Sequence, residues 1–259
     1  MPNSAPFCNV LVTGASSGIG EAVVRRLAAL GAKHIHFCGR DAARLATVAD
    51  AVRALGAEPH PRALDVTDAA AVRAWIEEAD ALSPLDLVYA NAGVSSGGRE
   101  DDEAAVRRVF RTNLGGVLNT VFPALDLYRR PGVPRAAKRI AMTSSMTGYH
   151  GMPQCPAYSA SKSGVKAFGA ALRGRVRREG IVVTTVCPGF VRSRITDENT
   201  CPMPFFLEAD PAAATICRGI AKGKGIVSFP WPMRLAMWWI SALPEAISER
   251  LFACLPEKN

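Results

Sequence analysis

The 259-residue sequence lacks several features that would assign it to other classes of protein. Its seven cysteines form no Cys-x-x-Cys pair, and an odd, scattered set of this kind is typical of free thiols in a reducing cytosol. Residues 1–9 contain no basic segment followed by a long apolar run, so we expect no secretory signal. The longest apolar run near the C-terminus, residues 235–240, is far shorter than the ~20 residues of a membrane span. We therefore expect a cytoplasmic protein.

Acidic residues are also scarce, because 23 Asp and Glu stand against 31 Lys and Arg and leave a net charge of +8. A basic surface can attract nucleic acids, anionic cofactors or lipids. Here the basic residues are spread over predicted helix faces, and no zinc-finger spacing or aromatic RNA-binding motif accompanies them. We therefore expect no nucleic-acid partner and predict no metal site.

No internal repeat or low-complexity linker divides the chain, so we expect one large α/β domain. Short apolar runs rich in β-branched residues alternate with helical periodicity, which is typical of a parallel sheet with helices on both faces. Seven strands are predicted, at residues 10–12, 35–38, 62–64, 87–90, 140–143, 182–187 and 226–229. Helices are predicted at residues 18–31, 41–55, 68–81, 102–130, 157–179 and 211–222.

The ends of the predicted strands carry the residues that are best suited to bind a ligand. In such sheets ligands bind beyond the carboxyl ends of the strands. The first six predicted strands are followed by Gly14, Arg40, Asp65, Asn91, Ser145 and the pair Pro188-Gly189. Because these loops converge on one edge of the sheet, the sequence predicts a single binding site there.

A glycine-rich turn lies between the first predicted strand and the first predicted helix, with the sequence Thr13-Gly14-Ala15-Ser16-Ser17-Gly18-Ile19-Gly20. Glycines let the backbone turn tightly and approach a pyrophosphate, while the helix N-terminus offers free N–H groups and a partial positive charge. The spacing is Gly-x-x-x-Gly-x-Gly instead of the commoner Gly-x-Gly-x-x-Gly. In this position between a strand and a helix, the turn predicts nucleotide binding.

Tyr158 and Lys162 are four residues apart in a predicted helix, so their side chains lie on the same helix face. An unperturbed tyrosine has a pKa near ~10, and a nearby ammonium favours the phenolate and lowers that pKa. The pair therefore suits a proton donor and acceptor that works near neutral pH. The alternative is a surface Tyr and Lys at an ordinary helical spacing.

Taken together, these motifs resemble those of the short-chain dehydrogenase/reductase superfamily, in its shorter-chain branch. The motifs that carry the resemblance, in the family's order and spacing, are Thr13 to Gly20, Asn91-Ala92-Gly93, Asn113, Ser145, Tyr158-x-x-x-Lys162 and Pro188-Gly189. The resemblance covers roughly residues 7–230. It implies a single-domain Rossmann-type doubly wound parallel sheet in residues 1–230, which would bind NAD(P) and carry the catalytic site. Residues 231–259 would form a C-terminal helical tail.

The resemblance also implies which residues bind the cofactor. These are Gly14, Ser16, Ser17, Gly18, Ile19, Gly20, Arg40, Asp65, Val66, Asn91, Gly93, Tyr158, Lys162, Pro188, Gly189, Val191 and Ser193. The second predicted strand ends in Gly39-Arg40 where NAD-binding chains usually have an acidic residue, and a guanidinium suits a 2′-phosphate. We therefore expect NADP(H), with NAD(H) as the alternative. Arg40 could instead begin the next helix, and Asp65, expected to contact adenine, could instead cap a turn.

Four residues are implied as catalytic: Asn113, Ser145, Tyr158 and Lys162. By resemblance, Ser145 would orient the substrate oxygen towards Tyr158, and Tyr158 would exchange a proton with it. Lys162 would hold the nicotinamide ribose and lower the pKa of Tyr158. Asn113 would hold a water of the proton relay at a local break in its helix, or would simply be a buried polar residue satisfied by backbone.

The expected activity is the NADP(H)-dependent interconversion of a carbonyl and an alcohol. The alternative is a catalytically silent nucleotide-sensing protein of the same fold, although such relatives usually lose the tyrosine or the lysine. The substrate is expected to be a small apolar molecule, of medium-to-large size for that class. The loops at residues 94–100, 146–157 and 194–210 indicate this because they contain Met146, Tyr149, Met152, Met203, Phe205 and Phe206.

The resemblance also implies a homodimer or homotetramer through the helices at 102–130 and 157–179. The tail carries Trp238 and Trp239 on an apolar stripe. It is expected to pack on the body or on a partner subunit, with peripheral membrane contact as the alternative.

Overall fold

Seven parallel strands form one sheet in the computed structural model, which describes residues 6–97, 102–134, 138–197, 203–244 and 247–248. Within these residues the strand order is β3-β2-β1-β4-β5-β6-β7, so the chain moves outwards from β1 in one direction and then in the other. The strands are β1 (Asn9–Thr13), β2 (His34–Gly39), β3 (Glu58–Ala63), β4 (Leu87–Ala90), β5 (Arg139–Thr143), β6 (Val182–Pro188) and β7 (Ile226–Phe229).

Helices connect the strands and cover both faces of the sheet. They are α1 (Gly18–Ala29), α2 (Ala42–Ala54), α3 (Ala69–Leu82), α4 (Glu103–Phe110), α5 (Gly116–Tyr128), α6 (Pro156–Val176), α7 (Arg194–Asp197), α8 (Ala209–Ala221) and α9 (Trp231–Ser241). Alternate residues of each strand point to opposite faces. Val10 and Val12 therefore pack towards α1, α2 and α8, whereas Leu11 packs towards α3, α5 and α6. This three-layer arrangement confirms the predicted fold class.

The edge strand β3 differs from its prediction. It runs from Glu58 to Ala63 and is largely exposed, whereas an apolar strand was predicted at 62–64. Its residues include Pro59 and Pro61, which lack the N–H groups of a central strand and suit a sheet edge. The prediction was wrong in position because it relied on buried apolar residues, which an exposed edge strand does not need.

The helix predicted at residues 102–130 is also interrupted. A π-helical turn, Arg111–Gly115, separates α4 from α5. Two glycines, Gly115 and Gly116, follow the centre of this turn, and a Cβ atom on Gly116 would lie 2.6 Å from Cγ2 of Val66.

Among the described residues, no helix has the length and apolar character needed to cross a membrane.

Helix α6, which carries Tyr158 and Lys162, lies very close to the sheet at Gly169. A Cβ atom at this position would collide with Oγ1 of Thr185 on β6 and lie 2.9 Å from Sδ of Met142 on β5. On the same helix, Gly174 is exposed and has open space where a Cβ would be. Gly169 therefore sets how closely the helix approaches the strands.

We expect Gly169→Ala to lower the free energy of unfolding by about 1–3 kcal/mol, because the added methyl overpacks this interface. The control Gly174→Ala should raise it by up to ~1 kcal/mol, because alanine is the better helix former in an open position. Urea denaturation of the two variants and the wild type measures both changes. Equal effects of the two substitutions would show that α6 does not depend on close packing at Gly169.

Candidate functional site

A cleft of about 530 Å³ opens at the carboxyl edge of the sheet. It is lined by the loops that follow β1 to β6 and by one face of α6. The predicted site residues in its wall are Gly14, Ser16, Ser17, Gly18, Ile19, Gly20, Arg40, Asp65, Val66, Asn91, Gly93, Ser145, Tyr158, Lys162, Pro188, Gly189, Val191 and Ser193. The structure thus brings together every predicted site residue except Asn113, which is fully buried behind the wall.

The glycine-rich turn forms one end of the cleft. Gly14 has φ +68°, and a Cβ atom there would lie 2.6 Å from Cα of Ala92, so neither its conformation nor its surroundings suit a side chain. A Cβ on Gly20 would collide with the carbonyl oxygen of Gly14. Ser17 precedes α1 in an extended conformation and makes no side-chain cap hydrogen bond. The turn from Gly14 to Gly20, here called the glycine cradle, therefore leaves the first N–H groups of α1 without a side-chain cap. Such a turn fits a pyrophosphate.

A hydrogen-bond network joins the ends of β1, β4 and β5. The hydroxyl of Thr13 accepts from the backbone N–H groups of Asn91 (2.9 Å) and Ala92 (3.1 Å). The Asn91 amide donates to the carbonyl oxygens of Thr13 (3.1 Å) and Gly14 (3.2 Å). Its Oδ1 atom lies 3.1 Å from the hydroxyl of Thr143. Neither threonine was predicted as a site residue, although Thr13 directly precedes Gly14 and Thr143 stands two residues before Ser145.

Asn113 lies at the centre of the π-helical turn and is fully buried. Its amide accepts from the N–H of Val94 (2.8 Å) and donates to the Val94 carbonyl (3.0 Å) and to the Ser161 hydroxyl (3.1 Å). Asn113 therefore fixes the loop after β4 against α6. This arrangement matches the alternative in which the side chain is satisfied by backbone, while its contact with a relay water stays a prediction.

Lys162 and Tyr158 lie on adjacent turns of α6. Lys162 is 2% exposed, and its Nζ atom donates to the Thr143 carbonyl (3.0 Å) and lies 5.7 Å from the centroid of the Tyr158 ring. The Tyr158 side chain is hydrogen-bonded to the Ser145 side chain. The Ser144 hydroxyl instead donates to the Lys162 carbonyl (2.7 Å), which supports the expected structural role of Ser144. Ser145, Tyr158 and Lys162 thus meet at one end of the cleft.

The ionisation of this group differs from the expectation. Burial raises the pKa of Tyr158 to about 12, and the hydrogen bond from Ser145 opposes that rise. Burial lowers the pKa of Lys162 to about 8. The predicted lowering of the Tyr158 pKa by Lys162 is therefore wrong for the chain alone, because desolvation of the phenolate dominates. At neutral pH, Tyr158 holds its proton and remains a proton donor.

The residues that follow β2 and β3 line the cleft beside the glycine-rich turn. A Cβ atom on Gly39 would lie 2.8 Å from Oγ of Ser16, so this position has no room for an acidic side chain. Arg40 is exposed at the rim, and no hydrogen bond or ion pair to it is found among the described residues. Asp65 accepts from the N–H and the hydroxyl of Thr67 (both 2.9 Å), so it does cap a turn as the alternative held. The predicted adenine contact of Asp65 stays a prediction.

The predicted substrate loops contribute less apolar surface to the cleft than expected. Val94 and Ile195 line it, but Met146, Tyr149 and Met152 pack against α9, together with its residues Met233 and Met237. These side chains therefore form a layer outside the cleft wall. Met146 and Tyr149 belong to the short 3₁₀ turn that follows Ser145, and Met152 comes three residues after it. The sequence placed them in the correct loop but could not assign the face to which they point.

The sequence model of the family described as "short chain dehydrogenase" matches residues 8–202. An uncharacterized oxidoreductase of Myxococcus xanthus is 37% identical over 252 residues, which cover 95% of this chain and 98% of that relative. A protein of Streptomyces violaceoruber, provisionally named a ketoacyl reductase of the granaticin polyketide synthase, is 37% identical over 76% of this chain and 72% of its own.

Solved structures show the same fold. A short-chain dehydrogenase/reductase of Burkholderia phymatum in complex with NAD has a TM-score of 0.80 and 24% identity, over 96% of each chain. A variant of the actinorhodin polyketide ketoreductase with NADPH has a TM-score of 0.76 and 26% identity, over 89% of this chain and 98% of that one. Since the family match covers most of the sequence and the sheet and cleft agree with it, the chain belongs to the short-chain dehydrogenase family of oxidoreductases.

Proposed function

We propose that this chain is an NADP(H)-dependent oxidoreductase that interconverts a carbonyl and an alcohol, with Tyr158 as the general acid and base. The observation that carries the proposal is the shared wall of one cleft, where Ser145, Tyr158 and Lys162 lie at one end and the bare glycine cradle at the other. The similarity to a ketoreductase whose structure holds NADPH supports the same reaction class.

The residues of the cleft would divide the chemistry as follows. A bound nicotinamide cofactor would supply or accept the hydride. Ser145 would donate a hydrogen bond to the substrate oxygen, and Tyr158, which is protonated at neutral pH, would transfer its proton to that oxygen during reduction. Lys162 has donors beyond its bond to Thr143 and would hold the ribose hydroxyls and stabilise the phenolate that the transfer leaves.

The alternative function is nucleotide sensing without chemistry. It would need the glycine cradle but would place no demand on a tyrosine and serine that are hydrogen-bonded to each other beside a buried lysine. Burying the Lys162 ammonium costs free energy, because desolvation disfavours its charged form. A role for that charge in the reaction would explain why the lysine is buried here. We therefore favour catalysis over sensing.

Tyr158→Phe should lower kcat by about 10²–10⁴-fold, because it removes the proposed proton donor and leaves the ring in place. The measurement is NADPH oxidation at 340 nm with apolar aldehydes, ketones and diketones, since we propose a small apolar substrate. Tyr149→Phe is the matched control, because Tyr149 lies outside the cleft wall and bonds the Ser228 hydroxyl (2.7 Å). Tight NADPH binding by the wild type with no turnover of any carbonyl would favour the sensing role.

We further propose that Arg40 selects NADP(H) through the 2′-phosphate. Its guanidinium is exposed at the rim of the cleft, and the neighbouring Gly39 leaves no place for the carboxylate that would select NAD(H). A guanidinium can bind a phosphate through two parallel hydrogen bonds.

Arg40→Ala should raise the KM for NADPH by about tenfold or more and leave the KM for NADH nearly unchanged, because a charge-assisted hydrogen bond is lost. Arg44→Ala is the control, since Arg44 carries the same charge nearby but pairs with Asp41 (2.7 Å) and lies outside the cleft wall. Equal losses with both cofactors would mean that Arg40 stacks on the adenine without selecting between them.

The outer face of α9 is exposed, and we propose that the tail from residue 231 serves subunit packing. Trp231, Trp238 and Trp239 are 73%, 55% and 60% exposed, and Arg234 is the one charged residue of the helix. The inner face of α9 already packs on Met146, Tyr149 and Met152. We propose that a second copy of the chain covers the outer face of a homodimer or homotetramer, with a membrane surface as the alternative.

The double substitution Trp238→Ser and Trp239→Ser should shift the chain to a smaller assembly in light scattering after size exclusion, because it removes the largest exposed apolar surface of α9. Flotation with anionic and neutral liposomes distinguishes the alternative. Binding of the wild type to liposomes, with an unchanged assembly in the double variant, would replace subunit packing with membrane contact.

A further inference from the structure

Three of the four histidines of the chain lie together at the edge of the sheet, far from the cleft in the direction of the strands. His34 and His36 belong to β2, and Glu58 and His60 belong to β3, where His34 is paired with Glu58 and His36 with His60. Residues two apart in a strand point to the same face. All four side chains therefore lie on the α3 side of the sheet, where β2 and β3 begin.

Three side-chain atoms of this group have the spacing of a metal-binding site. Nδ1 of His34 lies 3.3 Å from Nε2 of His60 and 3.2 Å from Oε2 of Glu58, and Oε1 of Glu58 lies 3.8 Å from Nε2 of His60. Zn²⁺ binds nitrogen and oxygen ligands at about 2.0–2.1 Å, so tetrahedral geometry separates two ligands by about 3.3 Å. The observed spacing needs little change to hold an ion.

The surroundings hold the His60 ring in an orientation that suits a ligand. The His36 ring stacks on the His60 ring with 4.4 Å between centroids and 15° between planes, and Nε2 of His36 lies 3.0 Å from the Ser83 hydroxyl. The His60 ring is therefore held in one orientation by its neighbours.

The site is also accessible to an ion from solvent. The side chains of His34, His60 and Glu58 are 32%, 20% and 63% exposed, so the ligands are anchored in the sheet while the carboxylate reaches into water. Three protein ligands would leave a fourth position open to water. The mixed imidazole and carboxylate set suits Zn²⁺ and neighbouring divalent transition metals better than Mg²⁺ or Ca²⁺.

We propose that His34, Glu58 and His60 form a divalent transition-metal site, with Zn²⁺ as the fitting ion, that joins β2 to the edge strand β3. The link would join the two strands through side chains where both begin, in addition to their backbone pairing from His34–Glu58 to Gly39–Ala63. The site is structural and independent of the cleft. No metal site was predicted from the sequence, because these ligands follow no zinc-finger spacing and meet only through strand pairing.

The test is zinc binding by the untagged full-length chain after chelator treatment, measured by competition with a chromogenic zinc indicator. We expect one Zn²⁺ per chain and a rise in Tm on zinc addition, because an ion that binds the folded state stabilises it. Co²⁺ in the same site should give the strong visible bands of tetrahedral coordination.

Variants assign the binding to these ligands. His60→Gln and Glu58→Gln should each weaken zinc binding by about tenfold or more and abolish the rise in Tm, because each removes one of three ligands. His150→Gln and Cys8→Ser are the controls that should retain both, since the fourth histidine and the exposed thiol near β2 lie outside the ligand set. The absence of zinc binding by the wild type, or equal binding by all variants, would leave a His34–Glu58 ion pair and a His34–His60 hydrogen bond as the whole of the cluster.

Discussion

The functional edge of the sheet depends on the hydrogen bond from the buried ammonium of Lys162 to the carbonyl of Thr143. A buried charge needs a fixed partner, and this one is the last residue of β5. The Thr143 hydroxyl donates a hydrogen bond to Oδ1 of Asn91, and the Asn91 N–H donates to the hydroxyl of Thr13 at the end of β1. One helix and three strands are thus held in a single register, which places Tyr158, one turn before Lys162, at a defined height above the sheet.

A second connection, through the π-helical turn, reaches the same place from the opposite side. The wider turn places Asn113 inside the protein, where its amide binds both backbone groups of Val94 and the hydroxyl of Ser161 on α6. The loop after β4 and the helix that carries Tyr158 are therefore fixed to each other as well as to the sheet. Such π-turns are frequent at functional sites, and this one joins two walls of the cleft.

Much of this arrangement could be predicted from the sequence, for reasons that also explain the failures. Alternating apolar strands and helices reveal a buried parallel sheet, and parallel topology places every post-strand loop at one edge, so the loops that line the cleft could be predicted. The roles of individual residues in those loops came from the resemblance to the family. The edge strand β3 was misplaced because exposure removes the apolar signal. The pKa of Tyr158 was predicted in the wrong direction because desolvation depends on depth, which residue spacing does not give. The His34–His60 contact depends on strand register, which also lies beyond local pattern.

The depth of Lys162 has a consequence for the thermodynamics of the whole chain. Its pKa is lowered from the ordinary 10.5 to about 8 in the folded state. Below pH 8 the folded and the unfolded chain both hold the Lys162 proton, and the buried charge lowers the free energy of unfolding by its full amount. Between the two pKa values the unfolded chain binds more protons, so the contribution of Lys162 to stability rises with pH. At neutral pH the fold therefore carries an electrostatic strain at its centre. A ligand that offers the ammonium new acceptors relieves that strain, which couples the occupancy of the cleft to the melting of the protein.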